Sequence, residues 1–391
     1  MFGFVAPDHA ALAVKPFLEI RSRYERRTDR DFDEDVQDNR SHITDRVRIG
    51  VDLKYGEHLS GRLQYRYGHE WIWTPLKNHS KERSDVEEAY LSAKLDGGAM
   101  VKAGRQFVNK GAHLLVSTAT FGNVAYSWEG VRFQKDGWDV FAGECAIDPA
   151  AEHANKWIAF AAKTWELGET MLLYHQREAP VRDVEVWTLD HRYLKSFGDL
   201  RVEAEAAVQT GHNQRKDLRA WAGRVKVCRD LKPQKATVYL DAYAASGGSN
   251  ADKTFTFDMV AGSLHALFGQ MDLQGWRNVE GLTLGVLFKP HPALDFCLEY
   301  HRFGLFDKAD GWYGAGGGLN KGAHGAFLDP TGRSGRDVGQ EFNLTGNYKL
   351  NKSTTLNFGV GLFQPGGFVK SFAPDSHTDQ FWGYAGLTWK M

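Results

Sequence analysis

Residues 46–67 read RVRIGVDLKYGEHLSGRLQYRY. Val47, Ile49, Val51 and Leu53 alternate with Arg46, Arg48, Asp52 and Lys54, and after a compact turn Leu63, Tyr65 and Tyr67 alternate with Arg62, Gln64 and Arg66. A period of two marks strands with two unlike faces, here one apolar and one charged enough to need water. The preceding run repeats the pattern, with Leu18, Ile20 and Tyr24 against Glu19, Arg21, Arg23 and Glu25. Further runs fall near 85–95, 100–107, 130–135, 138–146, 156–164, 169–177, 185–194, 200–210, 217–228, 234–245, 280–289, 293–303, 339–350, 354–363 and 379–391. That makes about eighteen, and an even count is usual for single-chain bacterial barrels.

The links carry the second signal. Tyr55–Leu59, Asp96–Ala99, Asp136-Gly137, Arg229–Pro233, Pro290–Pro292 and Asn351–Ser353 are compact, whereas 28–44, 74–84, 108–129, 246–279, 304–338 and 364–378 are long. Short turns on one rim and long loops on the other are what insertion from the periplasm leaves. The reading is therefore all-β: a transmembrane antiparallel up-and-down β-barrel over 14–391 with a polar lumen and periplasmic termini. Residues 1–13 form an N-terminal periplasmic segment. They show no basic start and no full apolar run, so an export signal already removed is expected, with residence in the bacterial outer membrane.

Composition agrees. Of 391 residues 25% are charged, and no apolar run approaches the length of a membrane helix. A barrel tolerates this, because only every second strand residue meets lipid. Aromatic residues at 13% and 42 glycines supply girdles and close strand packing. A net charge of -1 predicts no nucleic-acid partner. Cys145, Cys228 and Cys297 have neither pairing nor metal spacing and read as free thiols.

Arg21, Arg23, Arg46, Arg48, Arg62 and Arg66 form a basic ladder on the polar faces of the first three strands. Stacked guanidinium groups suit a carboxylated chain passing through a pore. The alternative is a wall network neutralised by Glu19, Glu25, Asp52 and Glu70. Further round, Glu203, Glu205, Asp241, Asp295, Glu299 and Glu341 share the polar face with Arg201, Arg224 and Lys226, so one wall is basic and the other more acidic. The Gly-rich stretch 311–325, GWYGAGGGLNKGAHG, lacks the Lys-Ser/Thr ending and the helix of a phosphate loop and reads as a flexible outer loop. The fifteen histidines show no metal spacing, and His301 beside Glu299 reads as a hydrated lumen pair before a catalytic one. No metal, cofactor or catalytic residue is called for.

Three stretches resemble the alginate-export family: VKAGRQFVNKGAHLLVSTATFGNVAYSWEGVRF at 101–133; 255–317 with Phe257-Asp258, His265, Gly269, Asp272 and His301-Arg302-Phe303; and 338–389 with VGQEFNLTGNYKL, PGGF and FWGYAGLTW. The resemblance implies an eighteen-stranded barrel whose arginine-lined lumen lets an anionic polysaccharide cross passively. By residue it carries over Arg105 of the GRQ motif and Arg132 of the GVR motif. Arg132 has lumen parity, while Arg105 breaks parity with Lys102 and Gln106 and is placed at a rim or bulge. His113 and Glu129-Gly130 depart from the family pattern. The expected function is a passive outer-membrane channel for anionic saccharides or other carboxylated solutes, with loops 246–279 and 304–338 narrowing its outer mouth. A general diffusion porin, a barrel-embedded hydrolase and a scaffold barrel around a periplasmic protein partner are the competing readings.

Overall fold

The computed structural model describes residues 11–75, 77–149, 155–178, 183–262, 264–265 and 267–391. Of the N-terminal segment expected over 1–13, residues 1–10 lie outside the described residues, and Leu12 and Ala13 already belong to the first strand.

Among the described residues eighteen long strands follow one another. They are β1 Leu12–Arg27, β2 Arg40–Tyr55, β3 Leu59–Trp73, β4 His79–Lys94, β5 Met100–Gln106 and β6 Ser127–Lys135. Next come β7 Trp138–Ile147, β8 Asn155–Trp165, β9 Gly168–Glu178, β10 Val184–Phe197, β11 Leu200–Asn213 and β12 Lys216–Leu231. The circuit ends with β13 Ala236–Ala245, β14 Val279–His291, β15 Leu294–Gly304, β16 Asp337–Lys349, β17 Thr354–Pro365 and β18 Gln380–Lys390. Each pairs antiparallel with its neighbour, and β1 closes on β18 from Glu19 opposite Lys390 to Arg27 opposite Trp382. Closure leaves no unpaired edge, as a hydrocarbon surround requires.

The outer surface carries the apolar half of the alternation. Ile49, Leu63, Val131, Leu172, Leu189, Val208, Leu240, Leu298, Leu344 and Val360 are exposed in its middle. Tyr55, Phe133, Trp138, Trp165, Phe197, Phe288 and Tyr348 ring the short-turn rim, and Tyr24, Trp71, Trp157, Trp187, Trp221 and Phe381 ring the other. Two such girdles flank the hydrocarbon band of outer-membrane barrels. The three cysteines are free, as read.

Two features differ from the sequence reading. The link expected at 74–84 is six residues shorter at its far end than drawn, because β4 begins at His79. The polar run His79–Asp85 pairs with Arg66–Ile72, where both strands rise out of the lipid and neither face must be apolar. The lumen also differs: its wall is charged over β1–β6, but the inward residues of β7–β12 include Phe141, Ile158, Phe160, Leu173, Val186 and Leu218, all buried. They pack with Leu114, Leu115, Val116, Phe257, Leu264, Phe268 and Trp276, which come from loops folded inward. The start of stretch 311–325 joins this interior, whereas Gly316, Gly318, Lys321 and Ala323 to Gly325 are exposed as in an outer loop. Trp312 is fully buried, with its ring 5.7 Å from Phe32 and 5.4 Å from Phe327, so Gly311 and Gly314 on either side of it belong to a packed segment.

Candidate functional site

The interior is organised by the loop 107–126 between β5 and β6. Its apolar centre, Leu114–Val116, has no reason to remain in water and docks against the apolar wall. Lys110 reaches across to Asp139 on β7 at 3.0 Å and Glu169 on β9 at 2.6 Å. The chain then turns back, and its tip Thr120–Asn123 meets the basic ladder on the opposite wall.

There the arginines act as a clamp. Arg21 donates to the carbonyls of Thr120 at 3.3 Å, Phe121 at 2.9 Å and Gly122 at 2.9 Å, and to Asn123 Oδ1 at 2.9 Å. Arg46 donates to the Thr120 and Gly122 carbonyls at 3.0 and 2.9 Å, and Arg23 to that of Phe121 at 2.8 Å. The Arg23 guanidinium also lies 4.0 Å from the centre of the Phe121 ring. Asn123 completes the dock by donating to the main chain of Asp45 and His69. Guanidinium-to-carbonyl bonds of this kind are charge-assisted and strong.

Deeper in the ladder carboxylates take over. Arg48 binds Glu87 at 2.6 Å, and the fully buried Arg66 binds Glu87 and Asp85, both at 2.9 Å. Arg62 binds Asp52 at 2.7 Å and Glu88 at 3.2 Å and stays partly open to the lumen. Glu19 serves Arg46 at 2.7 Å and Arg48 at 3.5 Å, and Glu25 serves Arg23 at 3.2 Å. The neutralising partners named from sequence are present except Glu70, which faces Arg40 at 3.9 Å. Asp85, Glu87 and Glu88 were missed, because a bulge opposite Gln64 and Tyr65 breaks the alternation of β4. Arg21 alone among the six has no carboxylate within ion-pair distance among the described residues.

A second loop, 246–278, crosses from the other side. Ser117 N donates to Ala261 O at 2.9 Å and Ala261 N to Leu115 O at 3.0 Å, so the two loops form a short ladder in the lumen. The buried Asp258 anchors the second loop to the wall through His175 at 3.1 Å, Asn213 at 3.0 Å and Arg177 at 3.6 Å, and faces Arg277 of its own loop at 3.9 Å. Burial alone would raise its pKa. The His175 hydrogen bond and the charges of His175, Arg277 and Arg177 outweigh this and hold it well below the ordinary carboxylate range. Glu341 on β16 accepts from the amides of Gln270 at 2.7 Å and Met271 at 3.1 Å. The loops also meet where Phe121 stacks on His265 with centroids 3.5 Å apart.

The remaining candidates separate clearly. Arg132 faces the lumen and forks onto Asp139 at 2.8 and 2.6 Å, and Arg224 does the same to Asp241 at 2.9 and 2.7 Å. Arg201 stands half-exposed near the short-turn rim, 3.6 Å from Asp230. Lys226 sits 3.8 Å over the Tyr239 ring, and Lys102, not singled out from sequence, sits 4.2 Å over that of Tyr90. Neither has a carboxylate within ion-pair distance among the described residues. Arg105 is a correction: it faces outward, 3.1 Å from the exposed Glu129, because its neighbour Gln106 takes the buried inward position. It does not line the pore. His301 is fully buried, 2.8 Å from Thr283 Oγ1 and 3.8 Å from Glu299, so it is no hydrated pair. On the acidic wall Asp190 Oδ1 and Glu205 Oε2 are buried without a hydrogen-bond partner, under the loop at Gly111 and Ala112.

The sequence profile of the alginate export family matches residues 17–383. The chain belongs to the alginate export family. It is thus a porin-type channel of the bacterial outer membrane. Among solved structures it is similar to Pseudomonas aeruginosa OccK5 (OpdH), at 11% identity and a TM-score of 0.64, over 97% of this chain and 98% of that one. The P. aeruginosa OpdK structure with vanillate matches at 11% identity, a TM-score of 0.64 and the same coverage. The P. aeruginosa outer membrane protein OprD matches at 12% identity and 0.60, over 97% of this chain and 94% of that one. At such identities the likeness establishes the barrel alone. No curated relative matches the chain.

Proposed function

We propose that this alginate export family member is a passive channel for small carboxylated solutes, sugar acids among them. The observation that carries this reading is Arg21. It holds a positive charge at the narrow waist on main-chain carbonyls, with Arg23 and Arg46 beside it and, among the described residues, no carboxylate of its own. Lys102 and Lys226, stacked on tyrosines and without ion partners among the described residues, extend the favourable path along the lumen. The family's substrate class, and the aromatic carboxylate named in the OpdK structure, point the same way.

The waist favours monomers or short oligomers over a thick polymer, because two loops and their packed side chains cross it. Liposome swelling tests the reading. Glucuronate and galacturonate should enter at least several times faster than glucose, and equal rates would overturn it. A general diffusion porin is the second reading, favoured by the buried acidic oxygens Asp190 Oδ1 and Glu205 Oε2 on the wall opposite the arginine ladder. Such a sign-split waist would slow none of these sugars selectively. The scaffold reading loses ground, because the chain's own loops take the interior a partner would need.

A further inference from the structure

The short-turn rim is uneven in charge. In the first five short turns each lysine has an acid a few positions away: Lys54 with Glu57, Lys94 with Asp96, Lys135 with Asp136, Lys163 with Glu166 and Lys195 with Asp199. The last three turns carry Arg229, Lys232, Lys235, Lys289, Lys349 and Lys352 against Asp230 and Asp295, with Asp199 of the preceding turn reaching over to Lys232.

A cleft of about 600 Å³ opens in this basic sector, between the turn after β12 and the end of β14. Its lining is largely apolar, with Leu231, Phe288, Pro292 and Phe296, and Lys232, Lys235 and Lys289 stand at it. The turn gathers the lysines. Lys235 takes a left-handed φ of 51°, donates its N–H to Lys232 O at 3.1 Å and accepts the Lys289 N–H at 2.9 Å. Lys232 is held by Asp199 at 2.7 Å. The two acids of the cleft are also engaged, Asp230 by Thr237 at 2.7 Å and Arg201 at 3.6 Å, and Asp295 by Asn347 at 2.7 Å. Lys235 and Lys289 are left with no carboxylate within ion-pair distance among the described residues.

From this we infer that the cleft binds an anionic phospholipid of the periplasmic leaflet. Phe288 belongs to the aromatic girdle, which puts the cleft at headgroup depth. A phosphate there meets the free ammonium groups of Lys235 and Lys289, while the first methylenes of the acyl chains cover Phe288 and Phe296. Basic side chains over an apolar floor at the membrane surface match an amphipathic anion in charge and depth. A soluble acidic partner would match the charge but would have to displace lipid from the floor.

Native mass spectrometry of the whole barrel, incubated with equal amounts of phosphatidylglycerol and phosphatidylcholine, tests this. Wild type should retain phosphatidylglycerol preferentially, and K235Q/K289Q should lose about fivefold per lysine, about 25-fold together. K94Q/K135Q, at the balanced part of the rim, should keep the preference. Equal retention of both lipids by wild type would overturn the assignment. So would an unchanged preference in K235Q/K289Q, an equal loss in K94Q/K135Q, or displacement of the lipid by soluble polyglutamate.

Discussion

Replacing Arg21 and Arg46 by methionine probes the clamp at the waist. Of the hydrogen bonds holding the tip Thr120–Asn123, Arg21 supplies four, Arg46 two and Arg23 one. In R21M each main-chain carbonyl keeps one donor, since Arg46 still serves Thr120 and Gly122 and Arg23 still serves Phe121. At about 1 kcal/mol net for the stranded Asn123 Oδ1, and about half that for each of the three main-chain carbonyls that keep another arginine donor, the single variant should cost about 2.5 kcal/mol of docking. In R21M/R46M Thr120 and Gly122 lose every arginine donor, and the loss should reach about 5 kcal/mol, more than the two singles together. A shift of that size changes the docked-to-undocked ratio by more than about a thousandfold. Single-channel recording reads it: R21M should keep the wild-type conductance, and R21M/R46M should open to a larger, noisier one. Equal conductance in the double variant would refute the claim that these arginines hold the constriction, and so would a full opening in R21M alone.

Other expectations follow from the same geometry. D258N removes the charge that His175, Arg177 and Arg277 face, costing about 3 kcal/mol of loop anchoring. Trypsin should then cleave within 246–278 while the far-ultraviolet spectrum of the barrel stays unchanged. Because the pKa of Asp258 is depressed, its anchoring is fully present above the ordinary carboxylate value of about 4 and fades only as pH falls below it. Protease resistance of this loop should therefore hold from neutral pH to about pH 5. R66M leaves Glu87 and Asp85 short of a buried partner and should destabilise the barrel by about 3 kcal/mol in denaturant melts. R105A, on the outer face, should leave conductance and ion selectivity at wild-type values in bilayer recordings.

The barrel was legible because alternation is a local property of each strand, and lipid outside and water inside punish any error in it. The eighteen segments from β1 to β18, and the inward placement of Arg21, Arg46, Arg132 and Arg224, follow from that rule alone. The interior was harder, because it is built by contacts between distant loops. Leu114–Val116 was the available signal, an apolar run inside a link that was expected to lie in water. The runs in β7 and β8, apolar on both faces, were another, since a strand bordered by lipid and open water has no use for a second apolar face. The ladder was found by parity, but its partners were not. No spacing rule joins Arg21 to Phe121, and the bulge in β4 conceals Glu87 from the alternation.

Reversal potential in a potassium chloride gradient tests the proposed function most directly. The account predicts a potential of the sign for chloride permeation in wild type, collapsing toward zero when Arg21, Lys102 and Lys226 are replaced together by methionine. A cation-selective wild-type channel, or a potential indifferent to those three replacements, would contradict it.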